Sequence, residues 1–105
     1  MEAQTISEAE LTQVLAADLL WGSEERNTKK PIVLVMEASW LAEASDVVRA
    51  AARSAILRRI GLNALAVVGG KEWTDEARKL AKQSQVITTT NGRVDRLSWE
   101  LATQT

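Results

Sequence analysis

The stretch Pro31-Ile32-Val33-Leu34-Val35-Met36-Glu37-Ala38-Ser39-Trp40 decides how the rest of the chain must be arranged. Its apolar run from Ile32 to Met36, rich in β-branched residues and bounded by Pro31 and Glu37, predicts a strand buried on both faces. Beyond it the period changes. Ala44, Val47, Val48, Ala51 and Ala55 follow the i, i+3, i+4, i+7, i+11 spacing of one helix stripe, which predicts a helix from Ala42 to Ile60 with Gly61 as its stop signal. A second buried strand follows over Ala64–Val68, ended by Gly69-Gly70. Strand, long helix, strand is the pattern of a right-handed crossover with parallel strands. Because the stripe is mostly alanine, the helix can lie close against what it covers.

Working outward toward the N-terminus, Ser7-x-x-Glu10 is a capping box that opens a helix over Glu8 to Ala16 or Ala17. Ala17–Trp21 follows as a short strand, unless the helix runs on to Leu20, and Ser23–Pro31 is a charged hairpin loop. Toward the C-terminus, Thr74 caps a helix over Asp75–Gln83, with Asp75 and Glu76 in the first turn where the helix dipole favours negative charge. Val86–Thr90 is a third candidate strand and Asn91-Gly92 a two-residue hairpin turn. Arg93–Trp99 alternates apolar and polar residues, which predicts an edge strand with one wet face. The expected fold is therefore α/β, a mixed β-sheet flanked by helices, in a single domain spanning 1–105.

Composition narrows the chemistry. Lys and Arg number 13 against 14 for Asp and Glu, a net charge of −1, so any nucleic-acid contact must come from a local patch. There is no cysteine, which removes disulfides, thiolate metal sites and cysteine nucleophiles. There is no histidine either, which closes Ser-His-Asp catalysis and the usual zinc sites. The acidic N-terminus has no signal-like apolar core and no segment has the length to span a bilayer, so the expected location is cytoplasmic, away from membranes. At 105 residues the core is modest, and a homodimer is a natural expectation.

Two acids stand at strand ends in this reading. Asp18 opens one strand and Glu37 ends the next, and an antiparallel pair could bring both carboxylates to one end of the sheet. There they could share a magnesium ion, a hard cation that takes oxygen ligands and activates water for attack on a phosphodiester. The plainer reading makes Asp18 a turn residue and Glu37 a solvated strand terminus.

The pattern resembles the PD-(D/E)XK nuclease-like superfamily. Asp18, an apolar strand ending Glu-x-Ser some twenty residues later, and an alanine- and arginine-rich helix carry that resemblance. More closely, "VMEASW", "DVVRAAARSAILRRIGLNALAVVGG" and "NGRVD" resemble a group of uncharacterised bacterial proteins with this core. The resemblance runs from about Ser7 to Asp95. It implies a restriction-endonuclease-like core in a short form, with Asp18 and Glu37 as the metal-binding and catalytic acids. Ser39 stands where active members carry a lysine, and a neutral hydroxyl cannot supply that positive charge. Lys29, Lys30, Lys71, Arg49 or Arg53 could replace it in space, and Glu8 or Glu10 could be the additional helix acid of such folds.

Asp46, Arg49 and Arg53 form a charged stripe on the long helix, away from the alanine face. Arg49 and Arg53 are candidate phosphate-binding residues beside Glu37. The competing reading is a solvated face tied by an Asp46–Arg49 pair, with Arg58 and Arg59 favourably placed at the helix end. Trp21, Trp40, Trp73 and Trp99 are dispersed along the chain, which suits packing or a dimer seam better than a base-stacking platform. Gly69-Gly70-Lys71 lacks the spacing of a phosphate-binding loop. Two functions follow: a non-catalytic, nuclease-like binding or dimerisation module, which the missing lysine favours, or a magnesium-dependent nuclease acting on nucleic acid.

Overall fold

The computed structural model describes residues 7–10, 19–24 and 31–103. Strands β1 (Leu19–Glu24), β2 (Pro31–Ala42), β3 (Ala64–Trp73), β4 (Ile87–Thr90) and β5 (Arg93–Val94) form one sheet in that spatial order. Helix α1 (Ala44–Arg59) connects β2 to β3, α2 (Asp75–Gln83) connects β3 to β4, and α3 (Arg96–Thr103) follows β5. The chain is thus the expected mixed α/β sheet with flanking helices. β2, β3 and β4 run parallel, while β1 and β5 are antiparallel to their neighbours.

Strand alternation sorts the core into two layers. On one face Ala66 and Val68 pack with Val47, Ala50, Ala77, Ala81 and Val86, and Val35 and Ala64 pack with Ile56 and Leu57. Here α1 and α2 cover the sheet, and their small side chains let them approach closely. On the other face Ile32, Leu34, Leu65, Val67 and Ile87 are covered in part by Trp99 and Ala102 of α3. Among the described residues, no helix is long and apolar enough to cross a membrane.

Several expected boundaries move. β2 extends to Ala42 rather than stopping at Met36, so Glu37 lies mid-strand, opposite Val68 of β3. α1 accordingly begins at Ala44. β3 passes through Gly69-Gly70 instead of ending there. The glycines permit close approach: a Cβ on Gly69 would lie 2.7 Å from Thr89 Oγ1, and one on Gly70 would lie 2.9 Å from Ala42 Cβ. The last expected strand shrinks to Arg93–Val94, because the chain turns into α3. Ser98 Oγ accepts from Thr88 N–H at 3.0 Å and donates to the Asp95 carbonyl at 2.7 Å, which ends strand pairing and starts the helix. Trp99 N–H completes the turn onto the Asp95 carbonyl.

The local signals of capping and turning fare better. Ser7 N–H donates to Glu10 Oε1 and Glu10 N–H to Ser7 Oγ, the reciprocal capping box. The helix is described only over Glu8–Glu10; Ala16, Ala17 and most of the charged loop lie outside the described residues. Thr74 Oγ1 accepts from Ala77 N–H at the start of α2. Asn91 and Gly92 both adopt positive φ, as a two-residue hairpin requires.

Both central helices end in a Schellman motif. After α1, Gly61 N–H donates to the Arg58 carbonyl and Leu62 N–H to that of Leu57, with Gly61 at φ 96°. After α2, Gln85 N–H donates to Lys82 and Val86 N–H to Ala81, but the left-handed position is held by Gln85 at φ 55°. A side chain there costs about 1 kcal/mol relative to glycine. Gln85→Gly is therefore expected to raise the melting temperature by about 4–8 °C, measured by calorimetry. An unchanged or lower value would mean that the Gln85 side chain contributes as much as the backbone loses.

Candidate functional site

Alternation along β2 puts Val33, Val35 and Glu37 on the face covered by α1. Glu37 therefore points into a packed layer, and it is only 4% exposed. Two of its partners come from the helix above. Arg53 Nη1 lies 2.6 Å from Glu37 Oε2, and Arg49 Nε donates to Glu37 Oε1 at 3.2 Å. Arg49 Nη2 also pairs with Asp46 Oδ1, while Asp46 Oδ2 accepts from the Glu43 N–H at 2.9 Å. Asp46 thus joins the cluster to the cap of α1, where a carboxylate is favoured by the helix dipole.

Among the described residues the cluster holds two carboxylates and two guanidiniums, and its layers differ in exposure. Glu37, Asp46 and Arg53 are buried, whereas the Arg49 side chain is about half exposed. Arg53 meets Glu37 by charge rather than alignment: its Nη1 is close but off the hydrogen-bond line, and its Nε has no hydrogen-bond partner among the described residues.

The buried face of α1 is therefore rotated from the alanine stripe. Asp46, Val47, Ala50, Arg53, Ser54 and Leu57 are buried, whereas Val48 and Ala55 are exposed. Selecting the face by apolarity alone discards Arg53, which is buried against Glu37, and Asp46, which is buried at the helix cap with the Glu43 N–H and Arg49 as partners. The expected Asp46–Arg49 pair forms, but it sits at the border of a buried cluster instead of on a fully solvated face.

The other candidates are scattered. Asp18, Lys29 and Lys30 lie outside the described residues. Ser39 is half-buried, one alternation beyond Glu37 on the same face. Lys71 is on the opposite face, its Nζ 4.3 Å from the centre of the exposed Trp40 ring, a cation–π contact. Glu10 pairs with Arg59 at the far end of α1 from Glu37, and the Arg59 hydrogen bond, followed by that of the Ser7 N–H, holds its carboxyl below the ordinary value. Glu8 is exposed. Trp73 donates to the Thr89 carbonyl at 3.1 Å and Trp99 packs beneath the sheet.

For a divalent cation, the described residues provide no group of three acidic or histidine side chains. They place two guanidiniums directly on Glu37, so a metal there would have to displace both. Chemically, the arrangement suits an ionic lock between β2 and α1. No protein-family model, curated protein or solved structure matches the chain. Fold and site together define a small mixed α/β domain with a buried ionic cluster between β2 and the helix that follows it.

Proposed function

We propose that the chain is a nuclease-like domain that does not cut, and that it works as a binding or self-association module. On this reading Glu37 has passed from metal ligand to structural anchor. The observation that carries it is the pairing of Glu37 with Arg53 at 2.6 Å and Arg49 at 3.2 Å. A water-activating metal site needs unneutralised oxygen ligands, and the lysine that would steady developing charge is replaced by Ser39.

The test is a magnesium and manganese titration followed by tryptophan fluorescence, alongside plasmid nicking by the wild-type chain, Glu37→Gln and Glu37→Ala. No saturable metal response at millimolar concentration and no nicking above buffer are expected. Metal binding and cutting by the wild type, both abolished in folded Glu37→Gln, would overturn the proposal in favour of a magnesium-dependent nuclease using Asp18 and Glu37.

A further inference from the structure

At the edge of the sheet remote from β1, a cleft of about 480 Å³ opens between α2 and α3. Its two walls differ in chemistry. α2 contributes Arg78, Lys79 and Lys82, all exposed, whereas α3 contributes Leu97 and Leu101, which are 56% and 38% exposed. The floor is apolar, formed by the buried Ala81 and Val86. Among the described residues Asp95 is the one carboxylate lining the cleft, against three cations. Arg78 stacks over Trp73, its guanidinium 5.8 Å from the ring centre, while Lys79 and Lys82 make no ion pair among the described residues.

We propose that this cleft binds an acidic amphipathic helix from a partner protein. Lys82 follows Arg78, and Leu101 follows Leu97, by four residues, so each wall repeats at about 6 Å, one helical turn. A helix with apolar side chains at i and i+4 and carboxylates on the flanking stripe matches both walls at once. The leucines argue against a nucleic-acid backbone, and among the described residues no aromatic side chain lines the cleft to stack a base. Their exposure argues against an enclosed small molecule, which a pocket would surround far more completely. The proposal rests on the non-catalytic reading only in taking the domain to act by binding. It uses none of the residues around Glu37.

The experiment uses fluorescence anisotropy with a labelled helical probe peptide of leucine, alanine and glutamate carrying leucine pairs at i, i+4, and a second probe with lysine replacing every glutamate. The full chain is expected to bind the acidic probe and to discriminate against the basic one by about tenfold or more at low salt. Leu101→Glu is expected to weaken the acidic probe about tenfold, as loss of an apolar anchor does. Lys79→Glu/Lys82→Glu is expected to invert the preference toward the basic probe, with circular dichroism unchanged because the substituted residues are exposed. Equal binding of both probes, or binding indifferent to these substitutions, would overturn the proposal. Two further outcomes would also overturn it: displacement of the acidic probe by laurate as effectively as by unlabelled peptide, which assigns the cleft to a small amphiphile, and dimerisation in light scattering that Leu101→Glu abolishes, which assigns it to a second copy. Metal-dependent nicking would strike the non-catalytic reading and leave the probe measurements standing.

Discussion

Glu37→Gln is expected to destabilise the domain by about 3–5 kcal/mol, because removing one partner of a buried ion pair leaves the other charge uncompensated. For a domain whose total stability lies near 5–15 kcal/mol, that loss moves the urea midpoint by a large fraction of its value. Arg53→Ala should match it, since Arg53 and Glu37 are both buried. Arg49→Ala should cost only about 1 kcal/mol or less, because the Arg49 side chain is 47% exposed and its charge contacts are screened. The double variant Glu37→Leu/Arg53→Leu should recover most of the loss, as apolar replacement of a whole buried pair is often neutral. Arg53 Nε has no hydrogen-bond partner among the described residues, which further favours recovery.

The sign of the Glu37→Gln effect distinguishes the two functional readings. A carboxylate kept for metal binding and left poorly compensated without the metal would stabilise the protein when neutralised, the usual trade between activity and stability. A carboxylate locked by arginines does the opposite. A rise in the urea midpoint for Glu37→Gln in metal-free buffer would sink the structural role and reopen catalysis.

The same residue shows where sequence reasoning succeeds and where it stops. Period and capping are local, so Ser7-x-x-Glu10, Thr74, Gly61 and Asn91-Gly92 all mark the turns and helix ends that form. The parallel crossover from β2 to β3 follows from two apolar runs flanking a helical period. The burial of Glu37 was also legible: Val33, Val35 and Glu37 share one face of the strand, and that face meets the helix that follows. What hid it was the expectation that a carboxylate ends a strand. Once Glu37 is taken to be inside, Arg49 and Arg53, four residues apart, become its natural partners. The edge of the sheet was harder. Leu97 and Trp99 satisfy a period of two as well as they satisfy α3, and the contact of Ser98 with Thr88 across the sheet edge, not the local period, favours the helix.

Gly70→Ala is expected to cost about 1–3 kcal/mol, the range for forcing a methyl group into filled space, and to lower the melting temperature by roughly 5–20 °C. The added Cβ would meet Ala42 Cβ and the Glu72 carbonyl oxygen at 2.9 Å and the Ala42 nitrogen at 3.2 Å. Two of those three atoms are backbone, so no rotamer change relieves them. Gly69→Ala should be milder, because its added Cβ meets the Thr89 hydroxyl oxygen, which can turn away, and Thr89→Ala should restore most of the loss. Equal costs at the two positions would show that close approach at Ala42 is not what requires glycine. Ala42 is the last residue of β2, one residue before the Glu43 cap whose N–H Asp46 accepts. Displacing it should therefore shift the start of α1 and, through Asp46 and Arg49, loosen the grip on Glu37. The double-mutant cycle of Gly70→Ala with Arg49→Ala measures that coupling: a term above about 0.5 kcal/mol is expected, and strict additivity would show that the end of β2 and the ionic cluster are independent.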